Sequence, residues 1–220
     1  TSLYIRPFVI ATTPSLGVHA AHDYIFCIIT CPVGAYYKEG INPVRIYVEN
    51  QDVRAVRGGT GYTKCGGNYA ASIRAGERAE EQGYAQVLWL DGVHRRYIEE
   101  VGSMNVLFKI DGKVVTPKSS TILPSITRRS LMVVARDILG LECEEREVYF
   151  SELRDFAECG LCGTAAVISP VGLIDDHGTE IRFPSGMDKM GPVIQKLYDT
   201  LTGIQWGKIE DTKGWTVPVE

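Results

Sequence analysis

Residues 57–69 read Arg57-Gly-Gly-Thr-Gly-Tyr-Thr-Lys-Cys-Gly-Gly-Asn-Tyr69, a glycine-rich loop around a single lysine, Lys64. Glycine lacks a Cβ atom, so such a loop lets a ligand approach the backbone while the lysine amine points at it. A Walker A loop is excluded, because it requires glycine before its lysine and Ser or Thr after it, where Thr63 and Cys65 stand. A lysine amine that meets an aldehyde cofactor can act as a covalent catalyst, whereas a lysine taken alone is more often solvated.

The bulk composition excludes several classes of protein. The 220 residues are 45% hydrophobic, enough for a substantial core in one domain, and carry a formal net charge of -4. No broad positive field is expected to attract nucleic acid or an anionic membrane. The longest apolar run, 24–30, is strand-sized, and nothing at the start resembles a signal peptide. Six cysteines lack the density of a disulfide scaffold, so we expect a reducing cytoplasm.

Strand and helix patterns alternate without a regular βαβ rhythm, which predicts an α+β domain. Asn68 is a plausible cap for the helix that follows the glycine-rich loop, and Asp111-Gly112 is a two-residue hairpin signal. A further hairpin is expected to turn at 175–178. Strands are expected at 3–11, 23–31, 44–49, 86–90, 104–110, 113–116, 145–150 and 165–170, and helices at 68–82, 127–139, 151–159 and 192–201.

The stretch from Gly59 to Tyr69 resembles the lysine motif of branched-chain aminotransferases, members of the class IV (fold type IV) family that uses pyridoxal 5'-phosphate (PLP). The resemblance implies that Lys64 carries PLP as a Schiff base and that Tyr69 hydrogen-bonds the phenolic oxygen of the cofactor ring, with support from Gln86. It also implies the fold: the large C-terminal cofactor-binding domain, in which mixed β-sheets form a pseudo-barrel surrounded by helices.

Ile98-Glu-Glu-Val-Gly-Ser-Met-Asn105 resembles the family segment that holds the acid facing the pyridine nitrogen. A carboxylate there keeps that nitrogen protonated, so the ring can accept carbanion electrons from the substrate Cα atom. By motif position Glu100, not Glu99, is this acid, and Ser103 also contacts the cofactor. Without the resemblance, the two glutamates would be interpreted as a solvated pair at a strand end.

Ile122-Leu-Pro-Ser-Ile-Thr-Arg-Arg129 resembles the family's phosphate-binding turn. A helix start presents free N–H groups and a positive dipole end, so the backbone of Ile126 and Thr127 can hold a phosphate, with Leu123 beside it. The alternative is a capped surface helix with exposed arginines.

Cys162-Gly-Thr-Ala165 resembles the family's Gly-Thr-Ala segment. The resemblance implies that the Thr164 hydroxyl contacts the phosphate and that the Thr164 and Ala165 amides receive the substrate carboxylate.

Two N-terminal stretches, 2–7 and 14–18, also match the family. By resemblance, Tyr4 and Arg6 line the substrate side, while Leu16 and Val18 are lent across a homodimer interface to an apolar pocket. For Leu16 and Val18, packing in the core is the alternative.

The resemblance covers essentially all of the chain, and residues 1–220 are expected to be the C-terminal PLP-binding domain. Residues 1–10 would follow an interdomain connection. The family's N-terminal domain, which supplies an arginine to the phosphate and aromatic residues to the pocket, is absent from the 220 residues. The implied reaction is transamination between leucine, isoleucine or valine and 2-oxoglutarate. The alternatives are a D-amino acid aminotransferase, an aminodeoxychorismate lyase, or an inactive truncated fragment.

The pair Cys159-Gly-Leu-Cys162 is weak evidence for zinc, because a structural site needs four ligands, and no metal is expected. Some family members carry a redox cysteine pair just after the Gly-Thr-Ala segment, but Ala166 and Ser169 stand at those positions here. Two buried, unlinked thiols are therefore expected. The four histidines, at 19, 22, 94 and 177, are interpreted as surface or turn residues.

Overall fold

The structure is a computed structural model that describes residues 2–34 and 41–219. The chain divides into two compact units, residues 1–40 and residues 41–220. In the first unit, β1 (Ser2–Ala11) pairs antiparallel with β2 (Tyr24–Val33), in register from Ser2 opposite Val33 to Ala11 opposite Tyr24. Most apolar side chains of this hairpin are exposed.

The second unit is built on a nine-stranded mixed sheet with the order β5-β4-β3-β10-β9-β6-β7-β8, to which β11 is added on β10. Its parallel pairs are β3–β4, β3–β10 and β7–β8, and the other ladders are antiparallel. Its strands are β3 (Val44–Val48), β4 (Gln86–Leu90), β5 (Ile98–Val101), β6 (Asn105–Ile110), β7 (Lys113–Pro117), β8 (Glu142–Arg146), β9 (Glu158–Gly163), β10 (Val167–Asp176) and β11 (Thr179–Arg182).

Three α-helices pack on this sheet: α1 (Gly66–Glu81), α2 (Ile126–Val133) and α3 (Pro192–Gln205). Helix α3 begins with Pro192 in its first turn, where the missing N–H costs no hydrogen bond. A π-helical turn, Val134–Ile138, continues α2, and a 3₁₀ helix covers Phe150–Asp155. None of the helices among the described residues has the length and apolar character needed to cross a membrane.

The sheet is buried on both faces, because successive side chains of a strand point to opposite sides. On β6, Val106 and Phe108 join the core cluster on one face, and Leu107 joins the cluster that packs under α2 and α3. On β9 the same alternation sends Cys159 into the first cluster and Cys162 into the second. Both thiols are buried and free, as expected, and strand geometry keeps them from pairing.

Most local patterns gave the right elements, but several boundaries were wrong. The hairpin turn at Asp111-Gly112 is confirmed, with φ of 46° and 80° at the two residues. The helix expected at 127–139 is α-helical only to Val133, and the strand expected at 145–150 lies at Glu142–Arg146. The helix expected at 151–159 is wrong in its second half, because Cys159 belongs to β9. Residues 158–163 form a strand because β9 pairs with both β6 and β10, and a local sequence pattern carries no information on such long-range partners.

Candidate active site

One cavity of the second unit lies between the glycine-rich loop, the start of α1, the turn after β5 and the segment before α2. It encloses about 320 Å³ of empty space, including its open mouth. Of the residues predicted from the sequence, it is lined by Tyr69, Glu100, Ser103 and Leu123. The remaining lining residues are Arg54, Gly61, Thr63, Asn68, Ser72 and Gly102.

Lys64 lies beside this cavity through its contact with Tyr69. The Lys64 Nζ atom donates a hydrogen bond of 2.5 Å to the Tyr69 hydroxyl and sits 5.0 Å from the centre of the tyrosine ring. Both side chains are exposed. The loop that ends at Lys64 and the first turn of α1 therefore bring an amine and a phenol together at the cavity.

Asn68 determines the shape of the glycine-rich loop. Its Nδ2 atom donates to the carbonyls of Thr60, at 2.7 Å, and Thr63, at 2.6 Å, and its Oδ1 atom accepts from the Thr60 hydroxyl. The expectation that Asn68 caps the helix was wrong, because Cys65 occupies the N-cap position and Asn68 lies in the first turn. The side chain holds the loop instead of the helix end.

Two glycines allow close approaches around the cavity. A Cβ atom on Gly61 would lie 2.4 Å from the Thr121 carbonyl oxygen, so only glycine fits where the loop meets residue 121. Gly102 has a φ of +56° and packs against the Gln86 side chain, and its carbonyl accepts from the Trp89 indole at 3.0 Å.

Glu100 places a buried carboxylate in the cavity wall. Its side chain is 3% exposed, and its Oε1 atom accepts from the Leu123 N–H, at 2.8 Å, and from Asn105 Nδ2, at 3.1 Å. Burial raises the pKa of the Glu100 carboxyl, while the Arg54 guanidinium and the Leu123 N–H act to lower it. The interpretation of the two glutamates as a solvated pair is wrong, because Glu99 is equally buried.

Arg54 is a residue of this site that the sequence analysis missed. Its Nε atom lies 3.5 Å from Glu100 Oε2, an ion-pair distance without a hydrogen bond, and its guanidinium donates to the Thr121 carbonyl. The guanidinium and the carboxylate are both almost fully buried. The only sequence signal was an arginine shortly before the glycine-rich loop, and nothing local indicates its partner 46 residues later.

The start of α2 offers unused N–H groups beside Leu123. Ser125 caps the helix by accepting from the Arg128 N–H at 3.2 Å, while the N–H groups of Ile126 and Thr127 have no protein acceptor among the described residues. Free N–H groups and the helix dipole are the features with which a helix start can receive an anion, and the phosphate-binding role of Ile126 and Thr127 stays a prediction. Arg128 is buried and paired with Glu145, so the alternative of a surface helix with exposed arginines does not hold for it.

The turn between β9 and β10 lies next to Met104, because a Cβ atom on Gly163 would be 3.5 Å from the Met104 side chain. Thr164 and Ala165 are exposed in this turn, and their N–H groups are unused among the described residues. Val167 follows with a φ of +58°, which is strained for a β-branched residue.

The other four predicted residues belong to the first unit. Arg6 donates to the Tyr4 hydroxyl at 2.8 Å, and both side chains share one face of the hairpin. Leu16 and Val18 are fully exposed between the strands, so the alternative of core packing is wrong for them. The substrate role that the resemblance gives these four residues stays a prediction.

No group of three or more His, Cys, Asp or Glu side chains in the described ranges, 2–34 and 41–219, is arranged to hold a metal ion. The groups that the structure does bring to or beside the cavity are the Lys64 amine, the Tyr69 phenol and the buried Glu100 carboxylate.

The family match and two curated relatives all point to the same family of aminotransferases. Residues 2–174 match the amino-transferase class IV family. Branched-chain-amino-acid aminotransferase 2 of Bacillus subtilis is 51% identical over 226 residues, covering 100% of this chain and 61% of that protein. A probable branched-chain-amino-acid aminotransferase of Staphylococcus aureus (strain N315) is 52% identical, covering 99% of this chain and 62% of its own length. The chain thus spans about three-fifths of the length of these curated relatives.

Solved structures agree with the expected fold. The branched-chain amino acid aminotransferase of Escherichia coli superposes with a TM-score of 0.83 at 30% identity, over 97% of this chain and 69% of that chain. The branched-chain amino acid aminotransferase of Thermobaculum terrenum in its PLP-form (holo-form) gives a TM-score of 0.77 at 29% identity, over 94% and 65% of the two chains. The predicted fold type IV architecture is confirmed.

Proposed function

Since the chain belongs to the amino-transferase class IV family, we propose that the cavity beside Lys64 holds pyridoxal 5'-phosphate and serves the transfer of amino groups. The observation that carries this proposal is one cavity lined by Tyr69 and Glu100, with Lys64 hydrogen-bonded to Tyr69 and with the unused N–H groups of α2 three residues after the lining residue Leu123. These groups differ in chemistry, and each matches a different part of the cofactor.

The residues fit the cofactor part by part. The free N–H groups of Ile126 and Thr127, with the Thr164 hydroxyl, would hold the phosphate. The Lys64 Nζ atom would bind the aldehyde carbon, and the Tyr69 hydroxyl, already hydrogen-bonded to Lys64, would contact the phenolic oxygen. Glu100 would meet the ring nitrogen. When bound, the cofactor supplies an electron sink for the bonds at the substrate Cα atom.

Glu100 would hold a proton at the ring nitrogen of the bound cofactor. Its carboxylate already accepts from Leu123 and Asn105, so its orientation is fixed before a ligand arrives. Burial raises the pKa of Glu100 and so opposes the charged form, whereas Arg54 and the Leu123 N–H favour the charged form that would accept from a protonated ring nitrogen.

Lys64 moves protons at the substrate. Its Nζ atom would hold the cofactor and, once displaced by the amine of a substrate, would take the proton from the substrate Cα atom. In the structure, a hydrogen bond of 2.5 Å from Nζ to the Tyr69 hydroxyl holds the amine at the mouth of the cavity, where both tasks would take place.

For the substrates, we propose branched-chain L-amino acids (leucine, isoleucine and valine) as donors and 2-oxoglutarate as acceptor. The names of the relatives at 51–52% identity support this class over D-amino acids or aminodeoxychorismate. The unused N–H groups of Thr164 and Ala165 fit a substrate carboxylate. Tyr4, Arg6, Leu16 and Val18 would contribute the substrate side and the apolar pocket.

Residues 1–220 would form the cofactor-holding C-terminal domain of a cytoplasmic homodimer. The relatives are longer than this chain, and the resemblance assigns the further part of the pocket to an N-terminal domain. The exposed amine of Lys64 supports a site that another part of the protein covers. The exposed apolar hairpin supports association with a second copy.

The experiment is a half-reaction with the protein loaded with PLP. L-leucine, D-alanine and aminodeoxychorismate are added separately, and formation of pyridoxamine 5'-phosphate or pyruvate is followed, with Lys64→Arg as the control. We expect L-leucine alone of the three compounds to give product, here pyridoxamine 5'-phosphate, and we expect Lys64→Arg to give none. Conversion of D-alanine or aminodeoxychorismate without L-leucine would show another chemistry of the family, and no conversion at all would favour the inactive fragment.

A further inference from the structure

Glu99 is a buried acid next to Glu100. Unlike Glu100, it has no part in the proposed chemistry. Like its neighbour Glu100 it is 3% exposed. Its Oε1 atom accepts hydrogen bonds from the Thr121 hydroxyl and from the Ser119 hydroxyl, the latter at 3.1 Å, and the two hydroxyls lie 2.8 Å apart. Glu99 therefore holds residues 119 and 121 through their side chains.

The segment 119–123 is fixed from two sides. Adjacent residues of a strand point to opposite faces, and Glu99 lines a different cavity from Glu100. Thr121 lies with Glu99 in that second cavity, whereas Leu123, whose N–H donates to Glu100, lines the first. The segment thus forms part of the wall between the two cavities.

The position of this segment determines the positions of two parts of the candidate active site: the loop that carries Lys64 and the start of α2. The backbone at Gly61 packs directly on the Thr121 carbonyl, so the loop that carries Lys64 rests on residue 121. Three residues after Leu123, α2 begins at Ile126 with the unused N–H groups. Anchoring Thr121 restrains these N–H groups together with the loop.

We propose that Glu99 is a positioning residue for the phosphate of the cofactor: by anchoring the Thr121 and Ser119 hydroxyls, it holds the start of α2 where the Ile126 and Thr127 N–H groups receive the anion. The inference rests on the proposed function, because the anion in question is the PLP phosphate. Glu99 itself touches neither cofactor nor substrate.

Glu158, a matched buried glutamate at 5% exposure, is the control that distinguishes a positioning role of Glu99 from a merely structural one. Its Oε2 atom accepts from the N–H groups of Val193 and Ile194, both at 2.9 Å, at the start of α3. Glu158 thus supports a helix start in the same unit but lines neither cavity. Glu158→Ala should lower stability without a specific effect on phosphate binding.

The experiment compares binding of PLP and of pyridoxal, which keeps the aldehyde but lacks the phosphate. Glu99→Ala should weaken PLP binding about tenfold and change pyridoxal binding by less than about twofold, because only the phosphate contacts are misplaced. Glu99→Gln should restore most of the affinity, since an amide oxygen can accept from Thr121. Thr121→Val should reproduce the loss, and the double variant should show no additional loss.

Hydrogen exchange of residues 122–129 without cofactor gives a second readout, which should be faster in Glu99→Ala than in wild type or Glu158→Ala. Equal loss of PLP and pyridoxal affinity, or the same affinity ratio in Glu99→Ala and Glu158→Ala, would overturn the inference. Wild-type protein that binds neither compound would contradict the proposed function instead. Exchange would then decide alone: faster exchange specific to Glu99→Ala supports the anchor, and unchanged exchange overturns it.

Discussion

The buried carboxylate of Glu100 lowers the stability of the folded protein when it is ionised, the form that the proposed chemistry requires. Burial raises its folded-state pKa above the ordinary value of 4.5, despite the opposing effects of Arg54 and the Leu123 N–H. Between the ordinary and the raised value, the folded protein binds more protons than the unfolded chain, so its stability falls as the pH rises through this range. The ionised carboxylate that the cofactor needs is therefore held at a cost.

The first prediction follows from this linkage. The free energy of unfolding of wild type minus that of Glu100→Gln should decrease as the pH rises from below 4.5 through the raised pKa, because glutamine does not titrate. Denaturant unfolding of the cofactor-free protein at a series of pH values measures it. A difference that increases over this range would mean that the folded-state pKa is lowered.

The same variant has a predicted effect on catalysis. Glu100→Gln should still bind PLP but should slow Cα deprotonation by orders of magnitude, because the ring nitrogen loses its anionic partner. Single-turnover rates with L-leucine test this, with Glu158→Gln as the matched control. An unchanged rate would show that Glu100 does not face the ring.

Cys65 is expected to be more reactive than the two buried thiols of β9. The N–H of Asn68 and the Thr60 hydroxyl lower the pKa of Cys65, whereas burial raises the pKa of Cys159 and raises that of Cys162 to about 12. Iodoacetamide near neutral pH should label Cys65 well before the two β9 thiols, because the thiolate is the reactive form. Peptide mapping over time checks this order, and early labelling of Cys159 or Cys162 would show that β9 opens readily.

Motifs predicted several residues that the structure brings to one cavity, but not the contacts that place them there. Lys64, Tyr69, Glu100 and Leu123 could be identified because each lies in a short, recognisable stretch. The partners Arg54, Glu99 and Thr121 could not, since their contacts join segments far apart in the sequence. A buried arginine or glutamate looks the same as a solvated one until the fold brings its partner to it.

At the scale of elements, the glycine-rich loop and the segment before α2 act as one unit. Gly61→Ala should push them apart, because its Cβ atom would lie 2.4 Å from the Thr121 oxygen and 2.5 Å from the Ala55 side chain. We expect PLP affinity to fall about tenfold or more, given a typical overpacking cost of about 1–3 kcal/mol.

Gly76→Ala, in the middle of α1, is the matched control. A Cβ atom there meets nothing within 4 Å, so this variant should gain about 0.5–1 kcal/mol of stability from helix propensity and bind PLP normally. Equal PLP affinity in the two alanine variants would contradict the close contact at Gly61.

Element boundaries show where local patterns stop being decisive. Helix α1 was expected at 68–82 and occurs at Gly66–Glu81, because the alanine-rich pattern and the stop at Gly83 are local signals. The helix after the phosphate-binding turn changes to a π-helical turn at Val134–Ile138, where Val134 and Ala135 are buried in the second core cluster. Packing on that face, not propensity, is our explanation for the change.

At the scale of the molecule, the exposed hairpin of residues 2–33 is the main candidate for self-association. Leu3, Ile5 and Val9 share one face with Phe26 and Ile28 of the opposite strand, and all five are exposed. A surface of this kind is typical of an interface. Val9 and Phe26 form a cross-strand pair, so opposite charges can replace them and preserve the pairing.

We expect the wild-type protein to sediment as the proposed dimer and the double variant Val9→Glu, Phe26→Lys to sediment as a monomer, as measured by sedimentation equilibrium. Val217→Lys, at another exposed valine, should leave the oligomeric state unchanged. Dimers that persist in the hairpin variant would place the interface elsewhere.

Lys64 is the residue proposed to hold PLP, and reduction with borohydride identifies the lysine that does so. The protein is incubated with PLP, reduced, digested and mapped by mass spectrometry, with Lys64→Arg treated in parallel. The predicted result is a pyridoxyl group on the peptide that contains Lys64, absent from that peptide in the variant. Predominant labelling of another lysine, or equal labelling of many lysines, would contradict the assignment of PLP to Lys64.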